Sequence, residues 1–291
     1  MHDGPGAGSS VAGYRLIRLL GQGSQSQVFL AEPPAGGAQL VALKLCTLDS
    51  SADLAAARRA FLESVGAAQR LSHPNIVTVL AAGVEGRLAW LAMEAVPGTD
   101  LSRYTKDPRL LPEALVLKLG ERIAQALGQA HRMGLVHRDL KPANVLVDWA
   151  TDTVKLADFG LSRAAGAART GTGIVLGTPA YMAPEQLAAA EPTAASDLYA
   201  LGVTLYELLA GRLPHEGRSM GELLRQVSGE TPEPLQRVRP GLPAAVGDLV
   251  ARLLAKAPAD RPGPASAVAA KLAEAAASLA VAPTSPGVKS R

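Results

Sequence analysis

The octapeptide His137-Arg138-Asp139-Leu140-Lys141-Pro142-Ala143-Asn144 brings a carboxylate, an ammonium and a side-chain amide together within six residues. Asp139 can accept a hydroxyl proton, and Lys141 can neutralise charge on a moving phosphoryl group. Asn144 offers a carbonyl oxygen to a hard cation such as Mg2+. The octapeptide follows a periodic segment over 112–133. Apolar residues at 115, 119, 123 and 127 mark one face of a helix there, and Gly134 suits a left-handed stop after it.

Downstream, apolar runs at 145–147 and 154–157 predict a short hairpin leading to Asp158-Phe159-Gly160, which comes 19 residues after Asp139. A small, polar segment over 161–176 then leads to Gly177-Thr178-Pro179-Ala180-Tyr181-Met182-Ala183-Pro184-Glu185. The run that opens at Ser196-Asp197-Leu198-Tyr199 is apolar around most of a helix and predicts a buried one.

Upstream, residues 14–20 read as a strand that ends at Gly21-Gln22-Gly23-Ser24-Gln25-Ser26, with a second strand to Ala31. Glycines there let backbone N–H groups approach phosphates closely. Val41-Ala42-Leu43-Lys44 places a lysine inside an apolar strand, which is costly unless its ammonium meets an anion. A helix over 53–70 and strands at 76–82 and 88–93 complete an expected five-stranded sheet, followed by Met93-Glu94-Ala95-Val96-Pro97-Gly98.

In this order and at these spacings, the chain resembles the catalytic domain of bacterial, eukaryotic-type (Hanks-type) Ser/Thr protein kinases. The matching motifs are H-R-D-L-x-x-x-N at 137–144, the V-A-I-K-like strand at 41–44, Asp-Phe-Gly at 158–160 and the segment ending in Ala-Pro-Glu at 185. Matches extend to Arg261. The resemblance implies an α+β, bilobal fold: a small antiparallel β-sheet N-lobe with one main helix and a larger, mainly helical C-lobe. The expected layout is a flexible N-terminus at 1–12 and a kinase domain at 13–275. That domain comprises an N-lobe at 13–94, a hinge at 94–98 and a C-lobe at 99–275, with a helix end and loose tail at 276–291.

The resemblance also implies roles. Lys44 would hold the α- and β-phosphates of ATP, Asp139 would orient and deprotonate a protein hydroxyl, and Lys141 would stabilise the γ-phosphate. Asn144 and Asp158 would hold Mg2+, with Mn2+ as a substitute. Leu20, Gly21, Gly23, Val28, Ala42, Met93, Glu94, Val96 and Leu146 would line the nucleotide site, with Met93 as gatekeeper and Leu146 on the floor. Lys141 and Thr178 favour Ser/Thr acceptors over Tyr. Asp197 would brace the catalytic loop, and Arg261 would pair with Glu185. Arg138 would pair with a phosphorylated Thr170 or Thr172, and a homodimer would allow that modification in trans.

Two positions depart from the family pattern. Ser26 stands where the third glycine of the loop is usual. The glutamate expected to hold Lys44 falls on Ser64, and Glu63 lies one residue earlier, about 100° around the helix. A small shift of helix or loop would let Glu63 serve. Ser64 also supports a competing reading, a pseudokinase acting as a nucleotide-binding scaffold, against which Lys44, Asp139, Asn144 and Asp158 all speak. A small-molecule phosphotransferase of similar fold is a third reading, and the segment 177–185 argues against it.

Composition narrows the remaining classes. Hydrophobic residues make up 48% of the chain and aromatic ones 3%, which excludes wholesale disorder. A net charge of +3 without a long Lys/Arg run does not indicate a nucleic-acid or membrane surface. Cys46 is the only cysteine, so an intrachain disulfide and a multi-cysteine metal cluster are excluded, and a cytoplasmic compartment is expected. Cys46 itself reads as a small core residue of its strand. Residues 1–10 lack the apolar run of a signal peptide, and no segment reaches the roughly 18 apolar residues of a membrane span. A membrane anchor would belong to a longer protein of which this is the cytoplasmic part. The alanine-rich segment 265–282 reads as a surface helix.

Overall fold

The computed structural model describes residues 5–23, 26–34, 39–48, 53–159 and 179–281. Its first unit is a six-stranded antiparallel sheet. The strands are β1 (Ser10–Val11), β2 (Tyr14–Gln22), β3 (Ser26–Glu32), β4 (Val41–Thr47), β5 (Val79–Glu85) and β6 (Leu88–Glu94), in the order β1-β2-β3-β4-β6-β5. Alternation along β4 splits its side chains between two cores. Val41, Leu43 and Leu45 pack with Leu16 and Phe29, whereas Ala42 and Cys46 meet Phe61 and Val65 of helix α1 (Leu54–Gln69). Helix α1 starts where the Asp53 side chain accepts the Ala55 N–H.

Strand β1 is a correction to the sequence reading, which places residues 1–12 in a flexible terminus and counts five strands. Ala12 and Gly13 both take positive φ (51° and 81°), the two-residue turn that matches strand twist. That turn brings Val11 against Tyr14, and both are buried. An alanine in the left-handed region carries no turn signal in a sequence.

The second unit is mainly helical. It contains a three-stranded sheet of β7 (Thr99–Asp100), β8 (Val145–Asp148) and β9 (Thr153–Leu156). Its helices are α2 (Glu113–Arg132), α3 (Pro184–Leu187), α4 (Ala194–Ala210), α5 (Met220–Gly229), α6 (Leu235–Val238), α7 (Ala244–Leu253) and α8 (Ala265–Val281). Helix α4 is buried on all sides, from Ser196 to Leu209. The segment expected to be a surface helix is instead amphipathic. Val268, Leu272 and Ala276 of α8 are buried in the main core, where Leu272 approaches α2 at Gly120. Burying one such leucine contributes about 2 kcal/mol.

The two units meet at residues 94–98. Gly98 takes φ 102°, and a Cβ there would lie 2.1 Å from the Val147 carbonyl oxygen, so only glycine lets the chain cross β8 at this point. Ile76 bridges to Leu156 on the opposite side, and the Val77 N–H donates to the Leu156 carbonyl at 3.0 Å.

Candidate active site

Lys44 lies on the α1 side of β4, and its Nζ stands 2.8 Å from Asp158 Oδ2. Burial works against the Lys44 charge, yet the Asp158 carboxylate beside it holds its pKa above the ordinary lysine value. Burial likewise would raise Asp158, but the Lys44 charge keeps this carboxyl below the usual carboxylate range. Each group is the counter-ion that makes the other's burial tolerable.

Asp158 leaves β9 with φ 66°, in the left-handed region. Two contacts hold this turn. The Phe159 ring packs edge-on against the His137 ring at 4.6 Å between centroids, and His137 Nε2 stands 2.8 Å from the Ala157 carbonyl oxygen. His137 is fully buried, so its part is to tie the catalytic loop to the Asp158 segment.

Within the loop, Asp139 Oδ2 accepts from Lys141 Nζ at 2.8 Å and from Asn144 Nδ2 at 3.2 Å. Asn144 Nδ2 also donates to the Asp139 carbonyl at 2.7 Å. The amide is thereby oriented by its nitrogen, which leaves Oδ1 as a cation ligand. Asp139 Oδ1 meets no donor among the described residues. The loop backbone hangs on Asp197: Oδ2 accepts the His137 N–H at 2.8 Å and Oδ1 the Arg138 N–H at 2.9 Å. His131 Nε2 lies 2.8 Å from Oδ2.

The donor set fits a divalent metal bound together with phosphate. No group of three or more His, Cys, Asp or Glu side chains that could hold a metal exists among the described residues. Asp158 and Asn144 could offer two hard oxygens to such an ion, and Mg2+ characteristically takes one or two protein ligands and completes its shell with phosphate oxygens and water.

The residues expected from sequence to line the nucleotide site lie on or beside β2, β3, β4, β6, β8 and the 94–98 connection. Met93 is buried next to Ala42 on β4, and half-buried Ala42, Val96, Leu146 and Ala157 pack against its cluster. Leu20 remains 43% exposed on β2, an apolar side chain left open by the fold. Gly21 pairs with Val28 across the β2–β3 hairpin, and the Gly23 N–H donates to the Ser26 carbonyl at 2.8 Å. Ser24, Gln25, Gly160, Thr170, Thr172 and Thr178 lie outside the described residues. Glu185 and Arg261 come together with two hydrogen bonds, at 2.6 and 2.7 Å.

Glu63 is the correction. Helix α1 turns Phe61, Val65 and Ala68 inward, and at about 100° per residue Glu63 then points roughly opposite to that stripe. It is exposed, and no ion pair joins it to Lys44 among the described residues. A small shift cannot bring it round, because the whole helix would have to roll and expose its apolar stripe.

The sequence reading names Glu94 and Arg138 but misses the partners they find. The Glu94 carboxylate is engaged by neighbouring segments: Oε1 accepts from Lys155 Nζ at 2.6 Å and from the Thr78 N–H at 2.7 Å. Gln186 donates to the Arg138 carbonyl at 3.2 Å, and Arg138 Nη2 donates to Glu191 Oε1 at 2.9 Å. Common polar residues at separations of 48 to 61 positions carry no local signal.

Comparison with known proteins places this geometry. The family model for the protein kinase domain matches residues 14–273. The chain is 40% identical over 257 residues to serine/threonine-protein kinase PkaB of Streptomyces coelicolor, covering 85% of this chain and 60% of that protein. It is 35% identical to serine/threonine-protein kinase PrkC of Bacillus subtilis, covering 87% of this chain and 39% of that protein. It thus spans about half the length of these curated relatives. Among solved structures, the PknI kinase domain of Mycobacterium tuberculosis aligns with a TM-score of 0.75 at 33% identity, covering 94% of this chain and 100% of that one.

Proposed function

This chain belongs to the protein kinase domain family, and from that premise we propose that it transfers the γ-phosphoryl group of ATP to Ser or Thr hydroxyls of proteins. The observation that carries the reading is that the His137 contacts to Phe159 and Ala157 tie the Lys44–Asp158 pair to the Asp139–Lys141–Asn144 loop. Family members use ATP and a divalent metal. We take the metal to be Mg2+, held by Asp158 and Asn144, where it would neutralise phosphate charge. Lys44 exchanges Asp158 for the α- and β-phosphates. Asp139 Oδ1 takes the acceptor hydroxyl's proton as the hydroxyl oxygen bonds to the γ-phosphorus and the bond from that phosphorus to the β–γ bridging oxygen breaks, leaving ADP. Lys141 offsets charge on the transferring group. Positioning and charge stabilisation supply most of the rate in this class.

Finer readings follow the same logic. Thr170 and Thr172 would be autophosphorylated and engage Arg138, in trans within a homodimer. A cytoplasmic setting follows from the use of ATP and from the unpaired, buried Cys46. Among the described residues no helix is long and apolar enough to cross a membrane.

The test is phosphate incorporation from labelled ATP with magnesium, comparing wild type with Asp139→Asn and Lys44→Met. Transfer by the wild type alone is expected. ATP binding without transfer by the wild type would overturn the reading in favour of a nucleotide-binding scaffold. Phosphopeptide mass spectrometry over 161–180 tests the autophosphorylation sites, and an active enzyme without phosphate there would reject them.

A further inference from the structure

Arg138 takes φ 73°, a left-handed conformation that a residue bearing a Cβ holds only when its surroundings fix it. Three tethers reach it from the segment 186–197. Asp197 Oδ1 accepts its N–H at 2.9 Å, Gln186 Nε2 donates to its carbonyl at 3.2 Å, and its guanidinium donates to Glu191 Oε1 at 2.9 Å. The Arg138 side chain is 21% exposed and that of Glu191 72%, so an enclosed cation receives an anion that reaches in from the surface.

The turn that presents Glu191 is built for the purpose. The Ala189 N–H donates to the Gln186 carbonyl and the Ala190 N–H to the Glu185 carbonyl, at 3.0 and 2.9 Å. Ala189 takes φ 59°, and Pro192 fixes the backbone just beyond Glu191. Glu185 is itself locked to Arg261. The carboxylate of Glu191 is therefore delivered by a segment anchored in the core.

We infer that Glu191 is a positioning residue for phosphoryl transfer: it supplies Arg138 with a resident anion and so holds the catalytic loop, Asp139 included, in a chain that carries no phosphate. The inference rests on the kinase reading and deepens it. A phosphate on Thr170 or Thr172 would compete with Glu191 for this guanidinium, and its greater charge and three acceptor oxygens favour it.

The experiment uses the whole chain with Thr170→Ala and Thr172→Ala, so that neither site carries phosphate, and compares Glu191, Glu191→Asp and Glu191→Ala. Hydrogen–deuterium exchange is read at the amides of 137–139, and kcat and KM for ATP are read with an acceptor peptide. Glu191→Ala should speed exchange severalfold in the catalytic loop alone. It should lower kcat roughly three- to fivefold, the scale of a largely exposed ion pair, with KM for ATP unchanged. Glu191→Asp should recover part of both. Unchanged loop exchange in Glu191→Ala overturns the inference whatever the activity, and so does exchange that rises equally across the C-lobe. Faster loop exchange in Glu191→Ala, together with no phosphate transfer by the chain that keeps Thr170 and Thr172, would sink the kinase reading and leave the tether standing.

Discussion

The guanidinium of Arg261 grips the carboxylate of Glu185 from two sides, Nη1 to Oε1 at 2.6 Å and Nη2 to Oε2 at 2.7 Å, across 76 residues of sequence. Arg261 is fully enclosed. Its remaining donors reach the carbonyls of Ala195, Ala255 and Lys256, and the Tyr199 ring lies 5.1 Å beneath it. The pair joins the end of the 177–185 segment to the loop before α8 and to the start of α4. Through α4 it steadies Asp197, on which the catalytic loop hangs.

Breaking this pair from one side should cost more than removing it. Arg261→Met leaves the Glu185 carboxylate enclosed without its counter-ion and should lower stability by about 3–5 kcal/mol. The double variant Arg261→Met/Glu185→Leu should recover a large part of that loss. Urea unfolding midpoints decide it, and a double variant as unstable as the single one would show that the cost lies in packing instead.

The same pair sets an acid limit. Burial would raise the Glu185 carboxyl, but hydrogen bonds from Arg261 and Ser196 hold it below the usual carboxylate range. The folded chain therefore binds this proton less readily than the unfolded chain. The stabilisation is complete above the unfolded pKa of about 4.3 and drains away as pH falls through the lower folded value. In Glu185→Gln the stability curve should flatten below about pH 5 relative to wild type. Chemical denaturation at a series of pH values measures the slope, and equal slopes would remove Glu185 from the account.

Lys44 takes its carboxylate from Asp158, and Glu63 faces solvent on the far side of α1. Glu63→Ala should leave phosphate transfer within about twofold of wild type, since surface changes away from special features are small. Lys44→Met should reduce it by about 10²-fold or more, the scale for losing a preorganised charge at the reacting group. Steady-state kinetics with a peptide acceptor separates the two, and a collapse of activity in Glu63→Ala would mean that α1 rolls during turnover.

Asp197 accepts two backbone N–H groups of the catalytic loop while almost fully buried. Replacing it with Asn sets an amide NH2 against one of those donors. The loss should be about 2–3 kcal/mol in stability, together with a fall in kcat larger than any change in KM. Thermal melts and kinetics on one preparation test both, and an active Asp197→Asn enzyme would show that the loop needs no such brace.

Most of the site can be read from the linear chain, because its chemistry depends on residue types that few others can replace at short spacings. Asp139, Lys141 and Asn144 lie within one turn of chain, and their mutual hydrogen bonds follow from that closeness. Lys44 is conspicuous because an ammonium in an apolar strand demands an anion. Helix α2, with its apolar stripe, and α4, apolar almost all round, are equally legible. Strand β1 is not, since its turn rests on an alanine in a left-handed conformation. The buried face of α8 is not either, because alanine suits surface and core alike.

Which groups exist was thus settled by order and spacing, and which groups meet was left to tertiary packing. Counting residues puts the expected partner of Lys44 at Ser64 and leaves Glu63, one residue earlier, as the substitute, but the phase of α1 is set by burying Phe61, Val65 and Ala68, and that phase turns Glu63 outward. Arg138 finds Glu191, and Glu94 finds Lys155, only after the intervening chain has folded. The physical reason is range. Propensity and periodicity act over a few residues, whereas an ion pair is chosen by whichever opposite charge the packed core brings within about 3 Å.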